Sequence, residues 1–162
     1  MDSKSVLEQV RSGAMSVEEA ERFFQHKAYE DLGYAKLDTY REIRSGFPEV
    51  IYCSNKPDEF LLSIYQRLFA EHGEVYGTRA SAEQYELVRK VLPQIQYDAV
   101  ARTLKYERPD KQRVGCVAVC TAGTADIPVA EEAAQTAEFF GAQVVRIYDV
   151  GVSGIHRLLL RH

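Results

Sequence analysis

The chain has 162 residues, 46% of them apolar, and a net charge of −4. That apolar share supports a packed core, excludes a disordered chain, and suits one domain or two small ones. No basic block, no apolar run of spanning length and no leader pattern at Met1-Asp-Ser-Lys4 occurs, so neither nucleic acid nor membrane is an expected partner and a cytoplasmic protein is.

A short helix is predicted over Val6 to Arg11, closed off by Gly13. Ser16-Val-Glu-Glu19 has the capping-box pattern and opens a second helix with Val17, Ala20, Phe23 and Phe24 on its apolar stripe. After a polar stretch, Ala35 to Thr39 reads as a short strand and Tyr40 to Arg44 as a helical turn. Glu49-Val-Ile-Tyr-Cys53 reads as the next strand. Pro57 opens a helix whose core face is Phe60, Leu61, Ile64, Tyr65, Leu68 and Phe69, with Gly73 as its left-handed end. Glu74 to Thr78 is a strand. Ser81-Ala-Glu-Gln84 is another capping box, for a helix with Tyr85, Val88 and Leu92 inward and Pro93 as its stop. Ala99 to Leu104 is a third strand. The resulting β-α-β-α-β run predicts a small parallel sheet with right-handed crossovers.

Glu107-Arg-Pro-Asp-Lys-Gln112 is charged and contains proline, which predicts a boundary: residues 1–107 as a helical plus α/β domain, 108–112 as linker, 113–162 as a second α/β unit. In that unit Val114 to Cys120 reads as a strand buried on both faces. Pro128 falls in the first turn of a helix carrying Val129, Ala130, Ala133, Ala134, Ala137 and Phe140 on one face, and Gly141 ends it. Gln143 to Tyr148 is the next strand, followed by a loop into a last helix. Two strands fall short of the roughly five of a doubly wound sheet, so a truncated domain, or one completed by another polypeptide, is expected.

Thr121 to Asp126 and Asp149 to Arg157 follow successive strands of a parallel pair, so both loops should line one crevice at the carboxyl ends, where α/β sheets hold ligands. Asp126 is either a catalytic or ligand-orienting carboxylate or a residue satisfying backbone N–H groups at a helix start. Glu131 and Glu132 fit as complements of the helix dipole. His156 is either a proton carrier or an ordinary surface side chain. Arg157 is a phosphate fork or half of an ion pair. Arg41, Arg44, Glu49, Lys56 and Arg79 form a second polar set, either touching a nucleotide or making a solvated basic rim. The three cysteines, Cys53, Cys116 and Cys120, read as buried small hydrophobes, with a reactive thiol at Cys120 as the sharper alternative. The four histidines are scattered, without metal-ligand spacing.

Thr121-Ala-Gly-Thr-Ala-Asp-Ile-Pro-Val-Ala-Glu-Glu-Ala133 and Asp149-Val-Gly-Val-Ser-Gly-Ile-His-Arg-Leu158 resemble the signature of the LarB family, and Gly46-Phe-Pro-Glu49 resembles its N-terminal domain. The second half is in turn similar to the PurE class, of flavodoxin-like fold. The resemblance matches Thr124 and Asp126 to one PurE ligand loop, and His156 and Arg157 to the other.

The resemblance implies an enzyme of nickel-pincer cofactor synthesis for lactate racemase. Such an enzyme adds CO2 to C5 of the pyridinium ring of nicotinic acid adenine dinucleotide. It also cleaves the phosphoanhydride, giving the pyridinium-3,5-biscarboxylate mononucleotide and AMP. Asp126 and His156 would be catalytic. Thr121, Gly123, Thr124, Ser153, Gly154, Arg157, Arg41, Arg44, Lys56 and Arg79 would bind substrate. CO2 is a co-substrate, no tightly bound cofactor is implied, and magnesium is left open. A homo-oligomer, an octamer through the PurE-like part, is implied as well. The family's ring-attacking cysteine matches none of Cys53, Cys116 and Cys120 and is expected beyond His162, so these residues alone are expected to be inactive. The rival readings are a PurE-like ribonucleotide carboxylase or mutase and a non-catalytic nucleotide-binding or assembly module.

Overall fold

The computed structural model describes residues 3–24, 30–31, 33–34, 36–38, 41, 46–151 and 155–159. The chain forms two compact units, Met1–Glu49 and Val50–His162. In the first, α1 (Ser3–Ser12) and α2 (Val17–Phe24) precede β1 (Glu30–Asp31) and β2 (Lys36–Leu37), which pair antiparallel. The capping box forms: Glu19 N–H donates to Ser16 Oγ at 3.1 Å and Ser16 N–H to the Glu19 carboxylate at 2.9 Å. Val6, Ala20 and Leu37 are buried, whereas Val17 and Phe24 of the expected stripe are exposed. The helical turn expected at 40–44 lies outside the described residues except for Arg41.

The second unit begins with β3 (Ile51–Tyr52), α3 (Asp58–His72), β4 (Val75–Thr78), α4 (Ala82–Val88), β5 (Gln96–Asp98) and β6 (Thr103–Tyr106). The protein is α/β as expected, but this sheet is mixed rather than all parallel. Its order is β3-β4-β6-β5, with β3 parallel to β4 and the other pairs antiparallel. The difference comes from Asp98. Its Oδ1 accepts the Val100 and Ala101 N–H groups at 2.9 and 2.8 Å, which turns the chain where a strand was expected. A β5–β6 hairpin results.

Helix α3 buries Leu61, Ile64, Tyr65 and Leu68, and Gly73 closes it at φ 68°. The Tyr65 hydroxyl donates to the Leu104 carbonyl at 3.0 Å and lies 3.4 Å from Cys53 Sγ. Gly77 leaves that space open, since a β-carbon there would collide with the Tyr65 hydroxyl. Ser81 and Gln84 form the capping box of α4. That helix stops at Val88, before the expected Pro93, and turns carry buried Leu92 and Ile95 onward.

β7 (Cys116–Cys120), α5 (Ile127–Phe139) and β8 (Gln143–Ile147) follow, with β7 and β8 parallel in register from Cys116↔Gln143 to Cys120↔Ile147. A one-turn helix, α6 (His156–Leu159), comes last. β7 was expected to be buried on both faces, but Cys116, Val117, Ala118 and Cys120 are exposed. The described residues give this sheet two strands and one covering helix, so Cys116 and Cys120 are not the buried hydrophobes expected; Cys53 is.

Helix α5 serves both sheets. It buries Ala130, Ala134, Gln135 and Phe139, while Val129 and Ala133 of the expected face are exposed. Its Phe139 ring lies 4.8 Å from Tyr76 of β4, an aromatic contact worth about 1 kcal/mol beyond burial. Segment 108–112, expected as a linker, lies inside the second unit because its charges anchor it. Lys111 Nζ pairs with buried Glu74 at 2.7 Å, donates to the Phe139 carbonyl at 2.5 Å, and sits 4.0 Å over the Phe139 ring.

Candidate functional site

The two expected crevice loops leave the same edge of the β7–β8 ladder and continue its pairing. Thr121 N–H donates to the Ile147 carbonyl at 3.1 Å, Val150 N–H to Thr121 at 3.0 Å, and Gly151 N–H to Ala122 at 2.8 Å. Thr121 is buried and its hydroxyl accepts the Asp149 N–H at 3.1 Å, so this side chain ties the loops together. Gly123 is extended, and Thr124–Asp126 form a single 3-10 turn that leads into α5. Thr124 and Asp126 are exposed. Asp126 makes no side-chain cap bond at the start of α5, so the helix-start role is not what its carboxylate performs.

His156 and Arg157 open α6, both exposed. Arg157 Nη1 reaches back to Asp149 Oδ1 at 3.4 Å, a pair more than half exposed on both sides. Gly151, beside the Arg157 stem, takes the left-handed φ 74°, which suits glycine there. Ser153 and Gly154 lie outside the described residues.

The second polar set is divided. Arg41 is exposed in the first unit and Arg44 lies outside the described residues, while Glu49 accepts the Asp38 N–H at 2.7 Å. Lys56 and Arg79 stand in the second unit, beyond the ends of β3 and β4. Arg79 Nε pairs with Glu132 of α5 at 2.9 Å. Glu131 accepts from Arg146 Nε at 3.2 Å. These two carboxylates therefore hold cations rather than serving mainly the helix dipole. Arg102, beside Arg79, was missed because its segment reads as mid-strand.

A separate cleft of about 270 Å³ lies toward the other end of α5, lined among others by Asp98, Thr103, Lys105, Gln135, Glu138 and Arg146. Thr103 Oγ1 donates to Gln135 Oε1 at 2.6 Å. Burial pushes the Lys105 ammonium's pKa down. Burial alone would raise Asp98, but N–H groups of Ala101, Gln135 and Val100, and the charge of Lys105, hold it below its ordinary value. Among the described residues no group of three or more His, Cys, Asp and Glu could share a metal ion, and no helix is long and apolar enough to cross a membrane.

Together these features define an α/β protein with paired loops at the carboxyl edge of parallel strands, the usual ligand position of that class. Residues 29–108 match the LarB/PurE-like N-terminal domain, and the chain is LarB-like through that segment. It is also 33% identical, over 168 aligned positions, to an uncharacterized protein of Methanocaldococcus jannaschii. The match takes in 96% of this chain, and the chain spans 64% of the length of that relative.

Proposed function

We propose that the chain is the nucleotide-binding part of a LarB-type carboxylase acting on nicotinic acid adenine dinucleotide, with CO2 as co-substrate. The observation that carries this reading is the pairing of the two loops through Gly151 N–H and the Ala122 carbonyl, with the Asp126 carboxylate left exposed beside them. Each group has a role it can physically fill. Arg157 offers a planar fork to a phosphate, and gives up only an exposed pair with Asp149 to do so. Asp126 orients the substrate or accepts a proton, and the His156 imidazole can pass one on.

In this reading CO2 joins ring carbon C5, the ring loses its C5 proton, and water cleaves the phosphoanhydride to release AMP. Cys53 is a poor nucleophile, because burial pushes its thiol pKa up and the thiol lies against Tyr65. The proposed contribution of these residues is therefore binding and proton handling, within a homo-oligomer.

The test is a thermal-shift comparison of nicotinic acid adenine dinucleotide, AMP and aminoimidazole ribonucleotide. A ligand that binds only the folded state raises the midpoint by mass action. Preference for the dinucleotide supports the proposal. Preference for the ribonucleotide replaces it with the PurE-like mutase, and no response to any ligand leaves an assembly module.

A further inference from the structure

Among the described residues, the non-glycines with left-handed backbone are Asn55, Arg79, Arg102 and Asp149, at φ 58°, 57°, 54° and 56°. Asn and Asp tolerate this region, but arginine enters it rarely, and such residues concentrate at ligand clamps. The two arginines are neighbours. Arg102 Nε donates to the Ala80 carbonyl at 3.2 Å and its Nη2 to the Arg79 carbonyl at 3.4 Å. The backbone closes the same contact, with Ala80 N–H on the Arg102 carbonyl at 2.8 Å. Lys56 stands beyond the neighbouring strand end. Its N–H donates to the Cys53 carbonyl at 3.2 Å, and Cys53 N–H donates to Thr78 at 2.9 Å, which ties its loop to the end of β4.

We propose that Arg79 and Arg102, with Lys56 beside them, form a binding site for a diphosphate group. Arg102 spends Nε and one terminal nitrogen on backbone carbonyls, so its guanidinium is fixed in place before a ligand arrives and its Nη1 stays available. Arg79 spends Nε on Glu132 and keeps both terminal nitrogens. The Arg79 fork and the free Nη1 of the fixed Arg102 together suit the oxygens of two linked phosphates better than two lysines would. Glu132 partly offsets the positive charge, which favours a ligand with more than one negative charge. It also places the pair about 9 Å along α5 from Asp126, at 1.5 Å per residue. The identity of the ligand, though not the existence of the site, rests on the function proposed above: in that reading the group is the dinucleotide's phosphoanhydride.

Calorimetric titration of inorganic pyrophosphate into the chain tests the site. Arg79→Asn and Arg102→Asn keep a residue that accepts left-handed backbone while removing the guanidinium. Arg89→Gln, in an exposed pair with Glu86 on α4, serves as control. Pyrophosphate is expected to bind the parent and Arg89→Gln alike and to bind each Asn variant at least tenfold more weakly. Should Arg102→Asn lower the thermal midpoint, Arg79→Asn carries the test, since the Arg79 side chain pairs with Glu132 and, among the described residues, holds no backbone carbonyl as Arg102 does. Absence of pyrophosphate binding, or affinity in both Asn variants unchanged from the parent, overturns the site. Arginine-dependent pyrophosphate binding without any dinucleotide response keeps the site and removes its assigned ligand. Dinucleotide binding indifferent to both arginines keeps the function proposed above and takes the phosphoanhydride away from this site.

Discussion

Tyr76 of β4 and Thr136 of α5 meet hydroxyl to hydroxyl at 2.9 Å, and Thr136 passes the bond on to the Glu132 carbonyl at 2.6 Å. Because Thr136 donates its proton to Glu132, Tyr76 must donate to Thr136. This relay, with the Phe139 ring beside it, fastens the four-stranded sheet to the helix that starts at Asp126.

Tyr76→Phe is expected to cost about 1 kcal/mol at neutral pH, the worth of one hydrogen bond, since Thr136 keeps its other partner. Burial is the main cause that pushes the Tyr76 pKa up to about 12, against about 10 in an unfolded chain. The raised value means this contribution is whole below about pH 10 and is lost as pH climbs toward about 12. Phe cannot ionise, so urea midpoints of the variant should fall less over that window. Tyr65 and Lys105 are common to both proteins and cancel in the comparison.

Gly77→Ala is expected to destabilise by about 1–3 kcal/mol through overpacking, because the new β-carbon would strike the Tyr65 hydroxyl and lie 2.8 Å from Cys53 Sγ. Removing that hydroxyl first should relieve much of the clash. In a double-mutant cycle by chemical unfolding, Gly77→Ala should therefore cost clearly less in a Tyr65→Phe background. Equal costs in both backgrounds would place the strain elsewhere.

Arg146 grips Glu138 with Nη1 and Nη2 at 2.5 and 2.9 Å, which ties β8 to α5. Those hydrogen bonds are the main cause holding the Glu138 carboxyl below its ordinary value of 4.5. A depressed value gives stability that is present above the ordinary value and lost as pH falls through the lowered one. Arg146→Gln should cost about 1 kcal/mol at neutral pH, given the partial exposure of the pair. The deficit should shrink in acid, so the variant's midpoint falls less steeply than the parent's.

If the function proposed above holds, Asp126→Asn and His156→Ala each lower carboxylation at least tenfold, the scale of a positioned acid–base or anchoring group. The rates would be measured in a longer version of the protein spanning the remaining length of its relative. Near-normal turnover in both would reduce the paired loops to scaffold.

Much of this architecture was legible locally. Gly73 and the two capping boxes mark helix ends by chemistry confined to a few residues, and all three formed where the sequence placed them. The shared edge of the crevice loops followed from strand order alone. The hairpin was hidden because Ala99-Val-Ala101 has the composition of a strand, and only the bonds to Asp98 reveal a turn. Segment 108–112 misled for a related reason. Its charges look solvated in sequence, yet Lys111 is spent on Glu74 and Phe139, partners remote along the chain. Arg102 gave no signal either, since left-handed backbone at an arginine is imposed by tertiary contacts and leaves no mark in the residue type.

Helix α5 runs for 13 residues, about 20 Å at 1.5 Å per residue. Asp126 stands at one tip and Phe139 at the other, with Tyr76 and Lys111 clasping the Phe139 end. Arg79 and Arg146 hold the middle of α5 through Glu132 and Glu131, and Thr103 through Gln135, so the helix is pinned along its length to strands of both sheets. A splint of this kind couples the two sheets, so loosening one of them is expected to lower the cooperativity with which the other melts.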